Sequence, residues 1–157
     1  MGWVCSSLLL SAQGAIEFVQ NKGQWDQQVH YRGQVNNGYF FIRERGFTIL
    51  QQHPGDLANM QKIKHGDTTG FRIRAHAWNV DFIDSKNKCI TAPQISGEST
   101  SSSYENYFLG NNPAHWATSC SIYQVITVKD IYPNIDLRYY SDAGTLKYDL
   151  ILSLIHI

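Results

Sequence analysis

Four carboxylates, Asp81, Glu105, Asp136 and Asp149, are the side chains best suited to chemistry in this sequence. Two acids held within reach of one substrate can transfer protons or cleave a glycosidic bond. Asp136 and Asp149 stand on successive strand-like runs, so a cross-strand approach is open to them; the plainer reading is that each faces water or caps a turn. The serine-rich run 97–103 contains no Gly-x-Ser-x-Gly elbow that would make a serine a hydrolase nucleophile. His53, His65 and His76 are metal-ligand types, but their scattered spacing lacks a matching carboxylate or cysteine. The expectation is therefore no catalytic residue, no metal and no cofactor, with a carboxylate-based hydrolase fragment as the enzymatic alternative.

Aromatic side chains offer a different chemistry. Nine Tyr, seven Phe and four Trp stand among twelve Gly in 157 residues, a balance that favours strands and turns over helices. Trp25, Tyr104, Tyr107, Trp116 and Tyr140 are the candidate ligand-facing aromatics, because planar amphipathic rings supply contact area to a sugar or peptide at small entropic cost. The competing reading places most such rings in the core. Thirteen basic residues balance thirteen acidic ones, which leaves no overall field to draw nucleic acid. The length suits one domain. Of three cysteines, Cys5 falls in a leader-like segment, leaving Cys89 and Cys120 as a candidate disulfide or as two small buried apolar residues.

Strands must position these groups. Runs 29–35, 39–43 and 47–51 predict a three-stranded meander, with Asn36-Asn37-Gly38 as a type I′ hairpin signal and Arg43, Glu44 and Arg45 as a solvated loop tip. Residues 53–70 read as an excursion with one helical turn around 57–63. From 71 to 83 the period is two, placing His76, Trp78, Val80 and Phe82 on one face. Trp78, Val80 and Phe82 are expected in the core, with His76 at its rim. A short strand at 89–91 and a serine-rich connector at 93–103 follow. Residues 104–113 with Trp116 predict an aromatic knot clasping a loop to the sheet. The run 120–128 lacks clean alternation, as a central strand covered on both faces or a bulged one would. A closing hairpin sets Ile135, Leu137 and Tyr139 on one face and, after residues 141–144, Leu146, Tyr148 and Leu150 on another. The expected class is mostly β, an antiparallel β-sandwich or open barrel built from hairpins and meanders, with little helix.

Residues 1–14 combine a short apolar run with small residues Ala12 and Gly14, the pattern of a secretory signal cleaved after Gly14, although no basic segment precedes it. No run is long enough to span a bilayer as a helix. A single β-rich domain is expected over 15–151, and 152–157 read as a fragment end or non-native tail. The ordered set Phe18-Val-Gln-Asn-Lys-Gly-Gln-Trp25, His76-Ala-Trp-Asn-Val-Asp-Phe82, 104–113 with Trp116, Ile131-Tyr-Pro-Asn-Ile-Asp-Leu137, Tyr139-Tyr140 and Leu146-Lys-Tyr-Asp149 resembles an uncharacterised β-rich module. That module lies near the N-terminus of large exported proteins of gliding-type Gram-negative bacteria. The resemblance implies a non-enzymatic secreted or cell-surface module followed by PKD- or propeller-type repeats and a type IX or gliding-motility-associated tail. It carries no site residues. Its implied partners are downstream domains of the same protein, with a glycan or cell-surface polymer as a further candidate. A module that folds against its neighbours, as terminal caps do, would leave an apolar edge exposed.

Overall fold

The computed structural model describes residues 14–62, 72–86 and 93–153. One antiparallel sheet forms a half-barrel, the open-barrel variant of the expected class. Its strands are β1 (Phe18–Gln20), β2 (Val29–Val35), β3 (Gly38–Arg43), β4 (Gly46–Gln52), β5 (Ala75–Asp81), β6 (Gln94–Phe108), β7 (Trp116–Tyr132), β8 (Ile135–Asp142) and β9 (Thr145–Leu152). Among the described residues one α-helix, α1 (Pro54–Lys62), follows β4, with more than the single turn expected in the excursion.

The seventeen-residue β7 is the spine. β6 runs along one of its edges. The other edge is shared: β1 pairs at Ile122 and Tyr123, and β8 takes over from Val125. The sheet therefore forks beside Gln124 into two arms, β1 to β5 and β8 to β9. The arms curl together until the Tyr139 ring lies 5.3 Å from Phe40 and 6.3 Å from Phe47. Ile16 and Phe18 enter the same core beside Tyr31, Ile42, Ile126, Ile131 and Leu137. At one end the Tyr132 hydroxyl donates to the Ile83 carbonyl at 2.9 Å, tying the arms together. Bulges and contacts on both edges explain why β7 lacks clean alternation.

Four local expectations change. The first hairpin turns on Asn36-Asn37, with Asn37 at φ 55°, and Gly38 already pairs with Val35. Glycine is needed at 38 because a Cβ there would sit 1.9 Å from the Leu50 carbonyl oxygen. Second, the serine-rich 93–103 is no connector: from Gln94 onward it is the first part of β6. Backbone pairing to β7 holds it, and Gly97 lies so close beneath Tyr123 that a Cβ would meet the ring at 2.4 Å. Third, Arg43 is not at a solvated tip. Its guanidinium is half-buried, donating to Asp81 at 2.6 Å and to the Phe47 carbonyl at 3.2 Å, which clamps the end of β4 to β5.

The fourth correction concerns Trp78 and Val80. Register places them opposite Ile49 and Phe47, so they do share the core-facing side of the sheet, but they are 37% and 36% exposed. Period two tells which face a side chain takes and not whether another layer covers it. β5 ends its arm, and only Phe82, just beyond it, is packed against the core.

Candidate functional site

The inward face of the half-barrel is closed at its floor and open at its lips. Along β9, Tyr148 stands opposite buried Tyr139, Leu150 opposite buried Leu137, and Leu152 opposite Ile135. All three continue the apolar face, yet Tyr148 and Leu152 are each 62% exposed and Leu150 is 58% exposed. Trp78 and Val80 form the matching lip on β5, where His76 stacks against Trp78 with ring centroids 5.6 Å apart. Two end strands thus present partly or largely exposed apolar side chains on the core-facing side of the sheet. On the floor, the Tyr139 hydroxyl and Ser141 Oγ are buried with no hydrogen-bond partner among the described residues. Burial pushes the Tyr139 hydroxyl well above the usual phenol range.

The outer face carries a second, smaller cluster of Val19, Ala117, Cys120 and Ile122, flanked by Trp25 and Tyr107. Arg32, opposite Val19 on this face, lies over three rings: 4.3 Å from the centroid of Trp25, 4.7 Å from Tyr39 and 5.5 Å from Tyr107. It also donates to the Tyr107 hydroxyl at 2.9 Å, and that hydroxyl donates to Glu105. Desolvation, with the Glu105 bond adding to it, drives the Tyr107 hydroxyl above its ordinary range. The turn that delivers Trp25 is held by Asn21, whose side chain donates to the Val29 carbonyl at 2.7 Å and accepts from Gly23 and Trp25. Beside this stack opens a cleft of about 430 Å³ lined by Glu17, Arg32, Gln34, Asn37 and Glu105. Its mixed charges and amides suit a neutral polar ligand better than a fixed anion.

The candidate aromatics separate. Trp25 and Tyr107 meet edge to face at 5.1 Å and serve the arginine stack. Trp116 packs against Phe108 at 5.4 Å and donates its indole N–H to the Gly110 carbonyl at 3.2 Å, closing the tip of the β6–β7 ribbon as the expected knot. Tyr104, Phe108, Leu109 and Trp116 remain exposed there. Tyr140 lies on the outer face of β8, where its hydrogen bond to Asp149 raises its hydroxyl pKa. Arg32, missing from the sequence reading, was signalled only by its alternation with inward-facing Tyr31 and Gly33 in a strand otherwise free of charge.

The carboxylates do not converge. Asp81 pairs with Arg43 and Glu105 with Tyr107. Asp136 accepts from Lys129 at 2.6 Å and from the Asp130 N–H at 2.9 Å, and the Lys129 bond leads in lowering its pKa. Asp149 stands opposite Arg138, while Asp136 stands opposite Ile151. His53 lies against Asp56 and Arg74; Arg74 grips Asp56 at 2.9 Å, which leads in holding that carboxyl well below its ordinary range. Among the described residues no group of three His, Cys, Asp or Glu is placed to hold a metal ion, and His65 lies outside them. Cys120 is a fully buried free thiol, pushed above its ordinary pKa by desolvation. Cys89, its candidate partner, lies outside the described residues, as do residues 1–13 of the expected signal segment 1–14 and residues 154–157.

Residues 18–154 match a family described as a domain of unknown function, DUF7948. The chain belongs to this family. The match starts at the first residue of β1 and ends just beyond β9, so the DUF7948 unit takes in the fork, both arms and both open lips. No curated protein and no solved structure matches the chain. Among the described residues of this DUF7948 domain, no helix is long and apolar enough to cross a membrane.

Proposed function

We propose that this chain is a non-enzymatic structural or adhesion-type module of a larger secreted or cell-surface bacterial protein, whose half-barrel is completed by protein packed into its open trough. The observation that carries this reading is the pair of apolar lips, Trp78 with Val80 and Tyr148 with Leu150 and Leu152, on the core-facing side of the two end strands. The signal-like segment 1–14 and the resemblance to exported gliding-associated proteins support export. Downstream domains of the same protein are the partners this arrangement suits.

The test lengthens the chain at its C-terminus with the residues that follow in its parent protein and measures acrylamide quenching of Trp78, isolated by difference from Trp78→Phe. Shielding of Trp78 and a blue-shifted emission are expected. Equal quenching in the short and lengthened chains overturns the reading.

A second reading, carbohydrate or peptide binding, is favoured by the exposed Tyr104, Phe108, Leu109 and Trp116 at the ribbon tip. Saturable quenching by a glycan panel, abolished by Trp116→Ala, would establish it in place of docking.

A further inference from the structure

We infer that β9 pairs edge to edge with β9 of a second copy of this chain, antiparallel and two-fold symmetric about Tyr148. The premise shared with the preceding reading is that the end strands are left for a partner; the occupant and register come from β9 itself. β9 pairs only with β8 among the described residues. Ser153 donates its backbone N–H to the Asn134 carbonyl at 2.8 Å, in step with the Ile135–Leu152 register. In an antiparallel ladder the hydrogen-bonded pairs alternate. Odd-numbered residues of β9 therefore bond inward to β8, and Leu146, Tyr148, Leu150 and Leu152 hold their N–H and C=O groups at the free edge.

Those four are also the residues on the apolar face. An antiparallel partner centred on Tyr148 sets Tyr148 against the partner's Tyr148 and Leu146 against the partner's Leu150. On the opposite face it sets Lys147 against the partner's Asp149 and Asp149 against the partner's Lys147. Edge hydrogen bonds, apolar contacts and charges are satisfied in the same register. Moving the two-fold centre by one residue, a slide of two along the strands, destroys this: centring on Lys147 opposes two lysines, centring on Asp149 opposes two aspartates, and like charges directly opposite weaken pairing. Centring on Leu150 sets Asp149 against the partner's Ile151 and leaves the charges unmatched. The other end strand has no such register, since centring β5 on Trp78 opposes His76 to Val80 and Ala77 to Asn79. Lys147, a residue type that ordinarily blunts a free edge, acquires an acid across the pairing while its own Asp142 contact stays on the same face.

Sedimentation velocity of the full chain across a concentration series tests the pairing through a charge cycle on exposed residues. The wild type is expected to show a reversible monomer–dimer equilibrium. Lys147→Glu and Asp149→Lys singly each oppose like charges at two symmetric positions and should raise the dimer Kd by about tenfold or more. The Lys147→Glu/Asp149→Lys double variant should restore it, with circular dichroism unchanged throughout. Tyr148→Pro, which removes an outward-facing N–H together with the Tyr148 ring but no hydrogen bond to β8, should abolish the dimer. A chain monomeric at every concentration overturns the inference, and so does a dimer indifferent to the cycle. If Trp78 nonetheless becomes shielded when the chain is lengthened, the trough reading stands without the pairing; if neither occurs, both fall.

Discussion

The two faces of this sheet bury their apolar groups by different means. The inner face joins Phe18, Phe40, Ile42, Leu137 and Tyr139 across the gap between two arms, so its stability comes from long-range contacts between separate parts of the chain. The outer face buries a cluster of only four residues, Val19, Ala117, Cys120 and Ile122, flanked by Trp25 and Tyr107 with the cationic head of Arg32 over both rings. A large apolar layer closes itself by packing. A small one on a convex surface needs a lid that is apolar below and polar above, which an arginine stacked on aromatic rings supplies.

The largest break in that comparison should come from the inner floor. Phe40→Ala removes a ring that touches both Phe47 and Tyr139, and a loss of about 3–5 kcal/mol is expected in urea unfolding. On the outer face Arg32→Ala should cost about 1–2 kcal/mol through lost stacking and the lost bond to the Tyr107 hydroxyl. Arg32→Lys should recover only part of this, because an ammonium cannot reproduce planar stacking. A loss at Arg32 equal to that at Phe40 would erase the distinction between the faces.

Smaller changes sharpen it. Tyr139→Phe deletes a buried hydroxyl without a partner among the described residues and should leave stability unchanged or raise it by about 1 kcal/mol, read as a shift in the urea midpoint. Acid should act elsewhere. The Asp56 and Asp136 carboxyls have lowered folded-state pKa values, each led by a bond to a cation. Their contribution is present above the unfolded carboxylate pKa and disappears as pH falls through the folded values. Hydrogen exchange below about pH 4, the unfolded Asp pKa, should therefore rise first around α1 and the β7–β8 turn, with the inner floor protected longest. Smallest of all, Leu152→Ser, at a side chain 62% exposed, should change stability by no more than about 0.5 kcal/mol, since β9 gains little from that side chain until something covers it. A large loss there would mean the lip is already closed.

Local chemistry was readable where it is local in origin. Apolar runs and turn signals in 29–51 gave the strands, alternation in 135–150 gave faces as well, and the sequence by itself determined a mostly β chain with a closing hairpin and the Trp116 knot. It also placed Trp78 and Val80 on the correct face. What it could not supply was the fork in β7, the strand hidden in the serine-rich 94–103, and the exposure of the inward side chains on β5 and β9. Pairing partners and coverage depend on residues distant in the chain, and a polar strand held by backbone bonds has no hydrophobic period to betray it. Arg32 escaped for the same reason, since Trp25, Tyr39 and Tyr107 reach it from three separate parts of the chain. Side-chain type and spacing fix the direction a residue faces; only the folded arrangement of the arms decides what it meets there.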